Sequence, residues 1–243
     1  MIFYRSPRRF RAVTLDLDDT LYDNHPVIAR AENLFMEYLT ERFSALRSFS
    51  WQQYADIRSW LYELDPFLHC DVSLARLEIV KKALILHGVP EEDEAADGAR
   101  EALAWFVRVR SDFRVPDKSI ETVRKIAARI PTAALTNGNV DYTVIGLDGI
   151  FRTVVRSGRD VPPKPDRAMF DEAARRLGVG TSEILHVGDD PVTDIRGAVS
   201  AGCLTAMFAF RPEYRNVSRC TILPDISLSS LDEVLELLDA YGS

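Results

Sequence analysis

The chain contains little cysteine and no long apolar run. Its three cysteines, Cys70, Cys203 and Cys220, are far apart and form no CxxC pair. This predicts neither a disulfide framework nor a zinc site and favours reduced thiols in a cytosolic protein. No apolar run approaches the roughly 20 residues that a membrane-spanning helix needs, and the one after the N-terminal arginines is too short for a signal peptide. We therefore expect a cytoplasmic protein without a membrane partner.

Positive charge is also scarce. The 30 lysines and arginines are outnumbered by 37 aspartates and glutamates, which gives a net charge of −7. This balance argues against a non-specific nucleic-acid binder, which usually carries a basic face. The sequence has no internal repeat or low-complexity tract, and 243 residues suit one large domain or a core domain with an insert. The pattern leaves a monomer and a homodimer equally open.

Apolar runs alternate with helical patterns over much of the chain. Short apolar runs predict strands at residues 10–16, 132–136, 153–156, 184–187 and 204–208. Helical periodicity predicts further helices, at residues 117–129 and 166–177, from the N-cap Asp190 to Gly202, and after the expected caps Ser230 and Glu233. Such alternation is typical of βαβ units. It predicts an α/β fold with a doubly wound, Rossmann-like parallel sheet covered on both faces.

The segment from about residue 26 to residue 110 has almost no strand signal, but its apolar residues recur at helical spacing. Ser50 and Gln53 predict a capping box at the start of one helix. A later helix is expected to end at Gly88. The acidic residues at 91–94 suit the start of the next one, because carboxylates favour the positive end of the helix dipole. We therefore expect this block to be all-helical.

This arrangement predicts two domains. The core is made of residues 1–22 and 113–243, and an all-helical cap, residues 23–112, is inserted after the first strand. In open parallel sheets, ligand sites form outside the carboxyl ends of the strands. The functional residues are therefore expected at those ends of the core.

The first predicted strand ends in three acids within four residues, Asp16, Asp18 and Asp19. Like charges packed together raise each other's pKa and repel, so stability alone does not account for such a cluster. A divalent cation and a lysine would neutralise it, and hard oxygen ligands suit Mg²⁺. We therefore predict a magnesium-assisted active site at the end of this strand.

Two further strand ends and one loop carry polar groups. They are Thr136, Asn137 and Gly138 after the second strand, Gly188, Asp189 and Asp190 after the fourth, and Lys164 between two prolines. The prolines restrict the backbone on both sides of the lysine. Because parallel strands end at the same edge of a sheet, we expect these groups to lie close to the acids.

These pieces, in this order, resemble the haloacid dehalogenase-like hydrolase superfamily. The signature motifs are matched by Asp16-Leu17-Asp18-Asp19-Thr20, by Thr136, by Lys164, and by Gly188-Asp189 with Asp190 and Asp194. The helical block between the first two motifs matches the helical cap of that family. The stretches VTLDLDDTLYDN, LTNGN and ILHVGDD further resemble bacterial flavin-pathway phosphatases. That resemblance implies a substrate such as 5-amino-6-(5-phospho-D-ribitylamino)uracil or FMN.

The resemblance also implies roles for the acids. Asp16 would attack phosphorus and form an aspartyl-phosphate, and Asp18 would protonate the leaving group and later take a proton from water. Asp16, Asp189 and the backbone carbonyl of Asp18 would bind Mg²⁺. Behind them, Asp190 is expected mainly as a helix cap and Asp194 as the group that orients water or the site lysine.

Phosphate binding is assigned to the second strand end and the lysine. The Thr136 hydroxyl and the N–H groups of Asn137 and Gly138 would hold the phosphoryl oxygens, and Lys164 would supply positive charge. His186 is expected to be structural. The cap aromatics are assigned to packing, with one or two available to stack on a flavin or pyrimidine ring: Phe35, Trp51, Tyr54, Trp60 and Tyr62.

Asp18 favours a phosphatase over a dehalogenase, because dehalogenases of this superfamily attack carbon and use no acid at this position. Two other possibilities stay open. One is a phosphomutase or phosphotransferase on the same fold, and the other is a non-catalytic protein that binds a phosphate ligand. The expected partner is a small-molecule phosphate ester.

Overall fold

The computed structural model describes residues 1–89, 92–214 and 220–243. The chain forms two units, which are Met1–Asn24 with Arg114–Gly138 and Tyr142–Ser243, and His25–Phe113 with Asn139–Asp141. The first unit carries the sheet and the second is helical. The chain leaves the first unit after residue 24 and returns to it after residue 113. The sequence predicts these two boundaries after residues 22 and 112. The assignment of residues 139–141 to the helical unit has no signal in the sequence.

Within the described residues, seven strands form one sheet in the order β1-β7-β6-β5-β2-β3-β4. They are β1 (Ile2–Phe3), β2 (Ala12–Leu15), β3 (Thr132–Thr136), β4 (Thr153–Arg156), β5 (Ile184–Gly188), β6 (Leu204–Met207) and β7 (Ile226–Ser227). Every neighbouring pair is parallel except β1 and β7. The predicted α/β fold with a mostly parallel, Rossmann-like sheet is confirmed. The two-residue strands β1 and β7 were not predicted, since they are too short to show a period.

The central strand β2 sets the position of the site. All residues of β2, β3 and β5 are buried, as is usual for parallel strands covered on both faces. Leu15 of β2 is paired with Ala134 of β3 on one side and with Val187 of β5 on the other. The carboxyl ends of these three strands are therefore neighbours.

In the part of the sheet unit that the structure describes, the α-helices are α5 (Asp117–Ala127), α6 (Ala168–Leu177), α7 (Gly197–Ala201) and α8 (Glu233–Tyr241). Met169 and Phe170 of α6 pack with Ala133 and Leu135 of β3 in one buried cluster. Helix α6 begins two residues later than predicted. The predicted cap of α8 also differs, because α8 begins at Glu233 with Asp232 in the N-cap position, and the Glu233 carboxylate accepts a hydrogen bond from the N–H of Ser229.

The helical unit contains α1 (Asn24–Arg42), α2 (Trp51–Leu64), α3 (Val72–Leu86) and α4 (Glu92–Arg110). The first residue of α1, Asn24, still belongs to the sheet unit. Its core includes Phe35, Ile79 and Phe106. The capping box of Ser50 and Gln53 is present as predicted. Residues 90 and 91 lie outside the described residues, and residue 91 is the first of the predicted acidic helix start at 91–94. Within the described ranges, no helix combines the length and the apolar character that a membrane span requires.

Candidate active site

The backbone turns sharply just after β2. The Asp16 N–H still donates to the Val187 carbonyl at 2.9 Å, so Asp16 continues the strand pairing. Asp19 then takes a φ of +57°, which is uncommon for a residue other than glycine but more accessible to Asp. The Asp19 carboxylate accepts from the Asn24 N–H at 2.9 Å, which stabilises this turn. The turn follows directly after Asp18. The strand therefore no longer fixes the direction of the Asp18 side chain relative to that of Asp16.

Lys164 lies at the centre of the site and is almost completely buried. Its Nζ donates to Asp16 Oδ1 at 2.5 Å, to Asp194 Oδ1 at 2.6 Å and to the Leu135 carbonyl at 2.9 Å. Burial alone would lower the pKa of Lys164, but the carboxylates of Asp16 and Asp194 outweigh it and raise the pKa above its usual value. The ammonium group is therefore charged and held in one position.

One lysine does not balance the surrounding acids. Carboxylate oxygens of Asp16, Asp189 and Asp194 lie within 4.8 Å of one another, and we call these three residues the acidic cluster. Burial, reinforced by the neighbouring carboxylates, raises the pKa of Asp16 to about 8 and that of Asp189 to about 9. Without a metal, the ionised forms of these two side chains are therefore unfavourable. Hard carboxylate donors with excess negative charge fit a divalent cation such as Mg²⁺.

Asp194 differs from the other two members of the cluster. Burial would raise its pKa, but Lys164 and His186 outweigh this effect and lower the pKa below its usual value. His186 Nε2 is 3.2 Å from Asp194 Oδ1, and its Nδ1 is 2.9 Å from the Thr14 hydroxyl. A Cβ on Gly188 would lie only 2.3 Å from Asp194 Cγ, so glycine is needed here. The contacts of Asp194 are those of a group that orients the lysine.

The second strand end contacts the lysine loop through a side chain. Asn137 Nδ2 donates to the Lys164 carbonyl at 2.9 Å, and its Oδ1 accepts from the Lys164 N–H at 2.9 Å. The Gly138 N–H donates to Thr136 Oγ1 at 2.9 Å, so a phosphoryl oxygen would have to replace this bond. The hydrogen bonds between the Asn137 side chain and the Lys164 backbone were not predicted, because the two residues are 27 positions apart in the sequence.

Asp18 is held by the Tyr22 hydroxyl and has space beside Gly138. The Tyr22 hydroxyl donates to Asp18 Oδ1, and Tyr22 is buried. A Cβ on Gly138 would lie 2.7 Å from Asp18 Oδ2, so the absence of a side chain there makes room for the acid. Tyr22 was missed as a site residue. Its only sequence signal is a tyrosine four positions after the acid.

The remaining predicted residues occupy the edge of the site. Asp190 caps the helical turn that starts at Pro191, because its carboxylate accepts from the N–H groups of Val192 at 2.8 Å and Thr193 at 2.7 Å. The Thr20 hydroxyl donates to Asp189 Oδ1 at 3.2 Å. A cavity of about 230 Å³ contains every predicted site residue and is lined by Asp16, Asp18, Asp19, Thr136, Asn137, Gly138, Lys164, Asp189, Asp190, Thr193 and Asp194.

Comparisons with known proteins agree with this geometry. The haloacid dehalogenase-like hydrolase family model matches residues 10–202. The chain is 36% identical over 241 residues to the 5-amino-6-(5-phospho-D-ribitylamino)uracil phosphatase YigB of Escherichia coli (strain K12), covering 98% of this chain and 100% of that protein. It is 27% identical over 252 residues to a phosphoserine phosphatase of Thermus thermophilus, covering 92% of this chain and 97% of that protein.

Solved structures give the same family. The crystal structure of a 2-haloacid dehalogenase from Pseudomonas syringae pv. tomato DC3000 aligns with a TM-score of 0.88 and 31% identity, covering 96% of this chain and 99% of that chain. The family prediction, the α/β fold and the phosphatase reaction class agree with these findings. The match spans most of the sheet unit and the whole helical unit, so the chain belongs to the haloacid dehalogenase-like hydrolase family.

Proposed function

We propose that the chain is a Mg²⁺-dependent phosphatase that hydrolyses small phosphomonoesters through an aspartyl-phosphate. The observation that carries the proposal is the position of Asp16 and Asp18 in one cavity, with the Asp16 carboxylate held by the buried Lys164 at 2.5 Å. Phosphoryl transfer depends mainly on positioning and charge neutralisation, and this cavity supplies both.

In the first step, an Asp16 oxygen attacks phosphorus and the bond from phosphorus to the ester oxygen breaks. Asp18 gives its proton to the departing oxygen, which leaves as an alcohol. The Asp18 carboxylate then takes a proton from water, and the resulting hydroxide attacks phosphorus. Inorganic phosphate leaves, Asp16 is regenerated as a carboxylate and Asp18 is protonated again. The Tyr22 hydroxyl donates to Asp18 Oδ1 and so helps to hold this carboxyl group in place.

The metal-binding assignment follows from the acidic cluster. Asp16 and Asp189, whose pKa values are raised, are assigned as carboxylate ligands together with the Asp18 carbonyl. The bound cation supplies neutralisation of the phosphate charge. Asp194 is assigned to orienting Lys164, and Asp190 to capping the helical turn behind the site. Thr136, the Asn137 N–H and Gly138 are assigned to the phosphoryl oxygens.

For the substrate, we favour a flavin-pathway phosphate, 5-amino-6-(5-phospho-D-ribitylamino)uracil or FMN. This choice is supported by the 36% identity to YigB along nearly the whole chain. A transfer of the phosphoryl group to a sugar hydroxyl would be recognised by the ratio of sugar phosphate to free phosphate formed. Phosphate release from a panel of nucleotide, flavin, pyridoxal and sugar phosphates, measured with Mg²⁺, is the direct test.

The nucleophile assignment predicts the behaviour of Asp16→Asn. We expect kcat for every substrate of the panel to fall by at least about 10³-fold, because an amide cannot form the aspartyl-phosphate. Asp160→Asn makes the same chemical change at an exposed residue outside the cavity and is expected to retain full activity. Unchanged turnover in Asp16→Asn would disprove the covalent mechanism.

Dehalogenation is the second candidate, since the 31% identical structural relative is a 2-haloacid dehalogenase. Asp18 separates the two. We expect Asp18→Asn to lower sugar phosphate hydrolysis by about 10²–10⁴-fold, the usual contribution of a general acid. The pre-steady-state burst with 4-nitrophenyl phosphate should fall less, because that leaving group needs no proton. Sustained chloride release from 2-chloropropionate by the wild-type protein would favour the dehalogenase instead.

A further inference from the structure

A second cavity lies entirely within the helical unit. It has a volume of about 310 Å³ and shares no lining residue with the site described above. Helices α1, α2 and α3 form its walls. The lining residues that carry charge or rings are Glu32, Trp51, Tyr54, Arg58, Tyr62 and Arg76. Its size falls at the lower end of the range of about 300–1,000 Å³ that is usual for small-molecule pockets.

Arg76 is a partly buried cation without a counter-ion. Its guanidinium carbon lies 3.5 Å from the centre of the Phe106 ring and 5.1 Å from that of Phe35. Its Nη1 donates to the Tyr54 hydroxyl over a long 3.4 Å, and its buried Nε has no hydrogen-bond partner. Among the residues that the structure describes, no carboxylate oxygen lies within 4.0 Å of it.

The charge of the cavity favours an anion. Two arginines, Arg58 and Arg76, face one carboxylate, Glu32, so the lining carries a net positive charge. A cation removed from water without a partner costs stability, and burial also lowers the pKa of Arg76. A bound anion would supply an opposite charge for Arg76 and would offset this cost.

The aromatic residues of the cavity add a flat, apolar surface. Trp51 and Tyr54 lie edge to face with ring centres 5.4 Å apart. Tyr62 lines the same cavity, and a planar ring can pack edge to face or offset-stacked against such side chains. We propose that the helical unit binds a small organic anion that carries a planar ring, with its charged group on Arg76 and its ring against Trp51 and Tyr62. The proposal does not depend on the phosphatase activity.

Phenylphosphonate tests this proposal, because it has a ring and a dianionic group but no ester bond to hydrolyse. Calorimetric titration in EDTA separates the two cavities, because the phosphate site proposed above needs a divalent cation to offset its carboxylates. We expect Arg76→Met to weaken binding by at least about tenfold, which corresponds to ~1.4 kcal/mol. Arg42→Met is the matched control, because Arg42 lies in the same unit but pairs with Glu101. It should bind like the wild type.

A second variant covers the case in which Arg76→Met fails to fold. Ala55 lines the cavity and is partly exposed, so Ala55→Phe should fill the space while Arg76 stays in place, and binding should be lost. Methylphosphonate should bind at least about tenfold more weakly than phenylphosphonate if the ring contributes. Equal binding by the wild type and Ala55→Phe, or no binding by the wild type, would overturn the proposal whether or not the chain hydrolyses phosphate esters.

Discussion

Lys164→Met is expected to abolish turnover and to lower the free energy of unfolding by about 3–5 kcal/mol. Lys164 holds Asp16 at 2.5 Å and Asp194 at 2.6 Å in a buried environment, and removing one partner of a buried ion pair leaves the other uncompensated. Methionine keeps most of the side-chain volume, so the loss reports mainly on charge. Phosphate release and urea unfolding at pH 7 measure the two effects.

The destabilisation should depend on pH. Lys164 keeps the pKa of Asp194 below that of an unfolded aspartate, ~3.9. The contribution of this pair to the free energy of unfolding is therefore complete above pH ~4. It is lost as the pH falls through the lowered pKa of Asp194 in the folded state. The difference between wild type and Lys164→Met should shrink in acid. Lys118→Met removes an exposed lysine whose partner is Asp232, and it should cost no more than ~1 kcal/mol. If Lys164→Met lowered the free energy of unfolding by no more than this amount, the interpretation of Lys164 as the partner of two buried carboxylates would be wrong.

Asp189→Asn is expected to stabilise the metal-free protein while abolishing Mg²⁺-dependent activity. The pKa of Asp189 is raised to about 9 by burial and by neighbouring carboxylates, against ~3.9 in the unfolded chain. The folded state therefore binds more protons between these values, and stability falls as pH rises from ~4 to ~9. The amide side chain introduced by Asp189→Asn carries no charge, so the variant does not lose stability in this way as the pH rises. Each kcal/mol gained should raise Tm by about 2–4 °C.

Melting temperatures measured from pH 5 to pH 9, in EDTA and in Mg²⁺, check this prediction. The wild type in EDTA should lose stability across this range more steeply than Asp189→Asn, and Mg²⁺ should stabilise the wild type more than the variant. Asp160→Asn should follow the wild type in both conditions. If Asp189→Asn were less stable than the wild type at pH 8 in EDTA, the assignment of Asp189 as an uncompensated buried carboxylate would be wrong.

The sheet was predictable from the sequence where burial is continuous. The apolar run of β3 predicts its observed bounds, Thr132–Thr136, because strands covered on both faces need apolar residues throughout. The bounds of the edge strand β4, Thr153–Arg156, are also as predicted, although only Val155 in it is buried. Strands β1 and β7 have two residues each, which is too few for a pattern. Their pairing depends on how distant parts of the chain meet.

The same distinction holds for the site. The proximity of Asp16 and Asp189 could be predicted because strand ends in a parallel sheet converge on one edge. Lys164 lies in a loop, and it was expected beside them from its two flanking prolines and from the family resemblance. The Asn137 side-chain contacts and the Tyr22 hydrogen bond could not, since they depend on where a loop backbone and a ring come to lie. The cap aromatics were assigned to packing, which holds for Phe35 and Tyr54, whereas Trp51 and Trp60 are exposed. The partnerless nitrogen of Arg76 is visible only once the helices are packed.

The two hydrogen bonds from Asn137 to the Lys164 backbone have a consequence for the energetics of binding. A lysine side chain loses about 1.5–2 kcal/mol of rotamer freedom when it is fixed. Here Asn137 fixes the backbone from which that side chain extends, and three acceptors fix the ammonium group. This ordering is complete when the chain has folded. An arriving phosphate therefore meets a cation already immobilised, and none of its binding energy is consumed in ordering the lysine.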